Sequence, residues 1–168
     1  MTKYIVVYGN YGCGKSRYAK SLVEIPNSFL LGTGSKLKNL ISLQWGGLER
    51  HIRDREAIGL KGKKTRFRTI IKDIEEVEAQ NLLIDEWSGL FYMSFWKPEE
   101  EAKRKIEDIY RAIDKNKYIQ KAVFITGGRI PYFPFKTYKK MALWNKEAFA
   151  RADEVIRMEF GIPIQIKP

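Results

Sequence analysis

Gly9-Asn10-Tyr11-Gly12-Cys13-Gly14-Lys15-Ser16 spaces its glycines, lysine and hydroxyl as G-x4-G-K-S. What lies on either side gives this run its meaning. Lys3–Tyr8 before it is apolar, β-branched and aromatic, which predicts a strand buried on both faces, as in a parallel sheet. Behind it, Tyr18, Ala19 and Leu22 form an apolar stripe along Lys15–Val23, which predicts a helix. A glycine-rich turn between strand and helix is the context in which this spacing cradles phosphate. Glycines let backbone N–H groups point inward with no Cβ in the way. The helix start adds partial positive charge. Lys15 then reaches the β- and γ-oxygens of a triphosphate, and the Ser16 hydroxyl is a ligand for Mg2+. The reading implies ATP or GTP as substrate, with Gly9, Asn10, Tyr11, Gly12, Cys13, Gly14, Lys15, Ser16 and Arg17 as nucleotide-binding candidates.

A second acidic element completes such a site. Asn81-Leu82-Leu83-Ile84-Asp85 predicts a buried strand ending in a carboxylate, and Asp85 is the candidate to hold Mg2+ directly or through water. Glu86 follows it. Two readings of Glu86 stand: a base that positions an attacking water, or an acid that supports the site from outside or lies on the surface. Lys121–Thr126 predicts another buried strand, closed by Gly127-Gly128. Open α/β sheets bind ligands beyond their strand C-termini, so Thr126 and Arg129 are candidates there. Thr126 would sense the terminal phosphate. Arg129 would contact phosphate in its own subunit or across a subunit boundary, and a plain loop role is the alternative for both. Cys13, at a helix start that lowers a thiol's pKa, is either a small loop filler or a reactive thiol.

The remaining pattern alternates strands with helices. Ser28–Gly32 predicts a second strand, and Leu37–Leu43 and Leu48–Ile58 predict helices. Gly59–Arg68, rich in glycine and cations, predicts an exposed loop. Arg68–Val77 leans to helix. Pro98 opens a helix through about Lys115, with Glu99, Glu100 and Glu101 suited to its N-terminal dipole. Pro131–Pro134 predicts a stiff aromatic loop and Thr137–Ala152 a helix capped by Thr137. Glu154–Phe160 and Ile162–Lys167 alternate apolar with polar residues about Gly161, which predicts an edge hairpin. The whole implies one α/β domain over residues 1–168, with a mainly parallel sheet flanked by helices.

Composition narrows the partners. With 168 residues, the chain can bury about 70% of its unfolded surface without staples. Its one cysteine allows no internal disulfide and no zinc cluster. No apolar run approaches the ~20 residues of a membrane span, and five apolar residues after Lys3 are too few for a secretory core. The expectation is a cytoplasmic protein. Lys plus Arg number 31 against 20 for Asp plus Glu, a formal charge of +11, which favours anionic partners such as nucleotides, phosphorylated substrates or nucleic acid. A solvated, lysine-rich surface is the alternative.

In its C-terminal third the chain resembles the adenosylcobinamide kinase/adenosylcobinamide-phosphate guanylyltransferase family, whose P-loop core is RecA-like. The matching residues are Asn145, Ala150-Arg151-Ala152-Asp153-Glu154-Val155 and Gly161-Ile162-Pro163-Ile164-Gln165-Ile166-Lys167. Gly14-Lys15-Ser16-Arg17-Tyr18-Ala19 and Leu83-Ile84-Asp85 extend the likeness. The resemblance implies a RecA-like P-loop NTPase fold, phosphotransfer to a small alcohol and a homotrimer with nucleotide near subunit boundaries. The departures are specific. Asp54 stands where the family's guanylylated histidine should be, in Arg50-His51-Ile52-Arg53-Asp54-Arg55, and His51 lies three residues earlier. Ile71 and Lys72 replace an acidic pair, and Gly127-Gly128 replaces Asn-Glu. Glu86 is acidic where the family commonly is not. These changes imply loss of guanylyl transfer with nucleotide binding kept.

Two functions fit: a small-molecule kinase, or an NTPase that drives a partner, an assembly or nucleic acid. A nucleotide-binding regulator with little turnover is a third. No Asn-Lys-x-Asp element selects guanine, and its absence does not select adenine.

Overall fold

The computed structural model describes residues 1–10, 12–33, 59–88, 90, 98–127 and 135–168, with side chains of the last helix described from residue 142. Seven strands form one sheet: β1 (Lys3–Gly9), β2 (Ser28–Gly32), β3 (Lys61–Lys64), β4 (Asn81–Asp85), β5 (Lys121–Gly127), β6 (Glu154–Glu159) and β7 (Ile162–Lys167). The α-helices with described bounds are α1 (Lys15–Ser21), α2 (Ile70–Glu75), α3 (Glu99–Lys115) and α4 (Phe135–Arg151), and a single 3-10 turn, Ile25–Asn27, precedes β2. The strand order is β3-β2-β4-β5-β1-β6-β7. All neighbours are parallel except β6 and β7, which pair antiparallel as the terminal hairpin.

Strand residues alternate between two cores, as the two-residue side-chain period requires. Ile5, Val7, Leu83, Val123 and Ile125 face α1 and its Ala19. Tyr4, Val6, Leu82, Ile84 and Phe124 face α2, α3 and α4. The second core is aromatic at its centre. The Trp87 ring lies 4.6 Å from Phe124 and 5.2 Å from Trp144, nearly perpendicular to the latter. The Trp87 indole N–H donates to the Trp144 backbone oxygen at 2.9 Å. That bond ties the segment after β4 to α4 through a buried donor that would otherwise be costly.

Most expected elements are present. Two differ. Lys61–Lys64, expected within a loop, is an edge strand that pairs with β2 from Phe29 to Gly32. Its backbone supplies the ladder bonds while Lys61 and Lys64 are exposed, a usual defence of a sheet edge. Thr137 is not a cap, because α4 already begins at Phe135. The expected helices at 37–43 and 48–58 and the loop at 131–134 lie outside the described residues. Among the described residues, no helix is long and apolar enough to cross a membrane.

Candidate phosphate-binding site

β1 delivers the loop at its C-terminal end, beside β5 and β6. Gly9 pairs with Gly127 on one side and Met158 on the other. Its φ is 153°, and a Cβ there would stand 2.5 Å from the Met158 carbonyl oxygen and 2.8 Å from Cys13 Sγ. Only glycine fits so close an approach. Gly14 then takes the left-handed N-cap position of α1 with φ 88°, and no side chain caps that helix. Among the described residues no side chain occupies its first-turn N–H groups, which suits them to face an anion. Cys13 is buried in the core under the loop, which suits the loop-filler reading.

Lys15 curls back over this loop. Its ammonium donates to the Asn10 carbonyl at 2.5 Å and lies 3.9 Å from Cys13 Sγ. Burial pushes the Lys15 ammonium below the ordinary lysine range, an effect that the Cys13 sulfur and the Asp85 carboxylate oppose. Asp85 is thus near enough to act on Lys15 through space. Ser16 follows on the first turn of α1, partly exposed, and Arg17 is exposed.

Asp85 ends β4, buried, with β5 standing between it and β1. Glu86 then adopts φ 62°, a left-handed backbone for a non-glycine residue. Such strain persists only where surroundings enforce it, and it clusters at functional sites. Here the enforcement is visible. Thr33, itself buried, accepts no freedom: its N–H donates to the Asp85 carbonyl at 3.1 Å. Its hydroxyl lies 2.9 Å from that same oxygen and also reaches the Glu86 carbonyl, so one proton serves two acceptors in turn. The Trp87 N–H donates to Ile125 of β5 at 2.9 Å. Glu86 is held at the bend between these two anchors, half-exposed.

Thr126 is fully buried on the α4 side of β5, and its hydroxyl donates to the Asn145 side-chain oxygen at 2.7 Å. It is thereby joined to α4, and Asn145 stands beside the strand end. Tyr11, Arg129, His51 and Asp54 lie outside the described residues. The sequence alone gives Thr33 and Asn145 no contact, because both act through partners more than a dozen residues away. For Mg2+, the Ser16 hydroxyl and Asp85 carboxylate are hard oxygen donors of the right kind. Among the described residues no group of three or more His, Cys, Asp or Glu is placed to hold a metal ion by itself. That donor set fits Mg2+, which takes few protein ligands and completes its shell with phosphate and water.

No family model matches the sequence, and no curated protein matches it. Among solved structures, a KaiC-like protein from the hyperthermophilic archaeon Pyrococcus horikoshii OT3 is similar. Its TM-score is 0.50 over 92% of this chain and 70% of that one, at 12% identity. The likeness at that identity is one of fold. With the parallel sheet, its inserted β5 and the terminal hairpin, the chain has the RecA-like P-loop α/β fold.

Proposed function

We propose that the protein is a Mg2+-dependent P-loop nucleoside triphosphatase that hydrolyses ATP or GTP. The observation that carries this is the strained Glu86 directly after Asp85, whose carboxylate acts electrostatically on the Lys15 ammonium. The uncapped start of α1 and the loop amides receive the β- and γ-phosphates, and the Lys15 ammonium leaves Asn10 to bind their oxygens. Ser16 and Asp85 would hold Mg2+, which would supply positive charge to neutralise the phosphates. Glu86 orients a water toward the terminal phosphorus and takes its proton as the bond to the β-phosphate oxygen breaks, releasing phosphate and nucleoside diphosphate. Thr126 and Asn145 form the side of the site at the end of β5, where Arg129 follows in sequence.

Steady-state hydrolysis of ATP and GTP by wild type and Glu86→Gln tests the reading. A general base contributes about 10²–10⁴-fold, so the variant should fall by that order while still binding nucleotide. Turnover by Glu86→Gln at the wild-type rate would remove Glu86 from the chemistry.

A second reading rests on the C-terminal resemblance: phosphotransfer to a small alcohol such as a cobinamide. It gives water a competitor and leaves the binding loop unchanged. Adding cobinamide to the same assay separates the two. Phosphorylated cobinamide with little free phosphate supports the kinase, and cobinamide-independent phosphate release supports the hydrolase.

A further inference from the structure

The hairpin turn between β6 and β7 stands against the phosphate loop. β6 runs beside β1, with Met158 opposite Gly9. A Cβ on Gly14 would lie 3.7 Å from the Gly161 Cα and 3.8 Å from Met158 Cε. The turn itself is two residues, Phe160 with φ 49° and Gly161 with φ 85°. Both φ values are positive, as the tightest right-twisting hairpins require. Gly161 is a natural occupant. Phe160 is not: glycine, asparagine and aspartate are the residues that take this position without strain. The ring gains nothing from its own protein in exchange, since Phe160 is 99% exposed. A strained backbone that presents a bare aromatic ring beside the phosphate loop needs a partner outside the fold.

Sheet order says which end of a nucleotide comes near it. Asp85 lies two strands from β1 on one side, across β5, and the Phe160–Gly161 turn lies on the opposite side, across β6. A triphosphate in the loop that turns its terminal phosphate toward Asp85 directs its nucleoside toward the β6–β7 turn. We propose that Phe160 is the base platform of this site, its ring stacking on the face of a purine nucleoside triphosphate. The inference rests on the nucleotide-binding reading above and adds the residue that holds the base. Stacking reads a π-face without a hydrogen-bond pattern, so Phe160 accepts adenine and guanine alike.

The test uses Phe160→Asn, which removes the ring but suits the left-handed turn, and Phe160→Tyr, which keeps it. Affinities for ATP, GTP and inorganic tripolyphosphate are measured by calorimetry with Mg2+ present. Loss of one stacked base costs about tenfold or more in affinity. Phe160→Asn should lose about that for ATP and for GTP, keep wild-type affinity for tripolyphosphate, and melt at a higher temperature than wild type. Phe160→Tyr should bind like wild type. Unchanged ATP and GTP affinity in Phe160→Asn overturns the platform, as does an equal loss for tripolyphosphate, which would signal a distorted loop. A change in sedimentation with nucleotide affinity intact would make Phe160 an assembly contact instead and likewise overturn it. If wild type binds tripolyphosphate as tightly as ATP, the platform fails and the phosphate loop stands. If it binds neither, the nucleotide reading itself fails.

Discussion

A lysine held in a desolvated loop gives up its proton more readily than one in water, and Lys15 is in that position. In the proposed site its charged form is the one that would bind phosphate. Affinity for Mg2+-ATP should therefore be full near neutrality and fall as pH rises through the lowered pKa of free Lys15, at a pH below the ordinary lysine value of about 10.4. Dissociation constants measured from pH 7 to 10 check this. Lys15→Arg, whose charge persists at all these pH values, should flatten the alkaline decline whatever its absolute affinity. Glu86 makes a different claim at the same scale. Its left-handed backbone costs of order 1–3 kcal/mol. Glu86→Gly should relieve that cost and raise the melting temperature while hydrolysis collapses. A stability gain joined to an activity loss is the signature of strain kept for function.

At the scale of elements, β3 and α2 are joined by one buried carboxylate. Asp73 accepts hydrogen bonds from the Thr65 and Thr69 hydroxyls and pairs with the Lys63 ammonium at 2.8 Å. Burial works to raise its pKa, but the bonds from Lys63, Thr65 and Thr69 outweigh it and hold the carboxyl below its ordinary value of 3.8. A carboxylate with a depressed folded pKa stabilises the fold above its unfolded pKa, and that contribution disappears as pH falls through the folded value. Asp73→Asn should therefore cost about 1–3 kcal/mol at neutral pH. The gap between variant and wild type should close below about pH 4. Thermal melts across pH 2.5 to 7 measure it. β3 also holds the exposed cations Lys61 and Lys64, followed by Arg66 and Arg68. Among the described residues, none of these four pairs with a carboxylate, unlike Lys63. If this edge meets nucleic acid, fluorescence anisotropy with a single-stranded oligonucleotide should show log affinity falling with log salt, at a slope of about −0.7 per phosphate neutralised. Lys61→Ala with Lys64→Ala should flatten that slope. Absent binding at low salt would leave the lysines as guards of the sheet edge.

At the scale of the whole molecule, what could be read from sequence follows what each strand is made of. β1, β2, β4 and β5 are buried on both faces, so their apolar runs announce them, and β6 and β7 announce themselves by alternation. β3 has no apolar residue. It exists because the β2 backbone offers it a ladder, and because Gly62 allows the approach: a Cβ there would stand 2.6 Å from the Leu30 carbonyl oxygen. Such a strand is invisible to hydrophobic period. The candidate site divides in the same way. The glycine-lysine loop and Asp85 are local motifs, legible as candidates from sequence. Thr33 at the Glu86 bend, Asn145 on Thr126 and the Phe160 turn against Gly14 depend on sheet order, which no local motif encodes. The most direct measurement is equilibrium titration of wild type and Lys15→Ala with ATP and GTP, with and without Mg2+. Saturable, Mg2+-dependent binding in wild type, weakened about a hundredfold or more in Lys15→Ala, is the predicted result. Lys15→Ala binding nucleotide as tightly as wild type would contradict it.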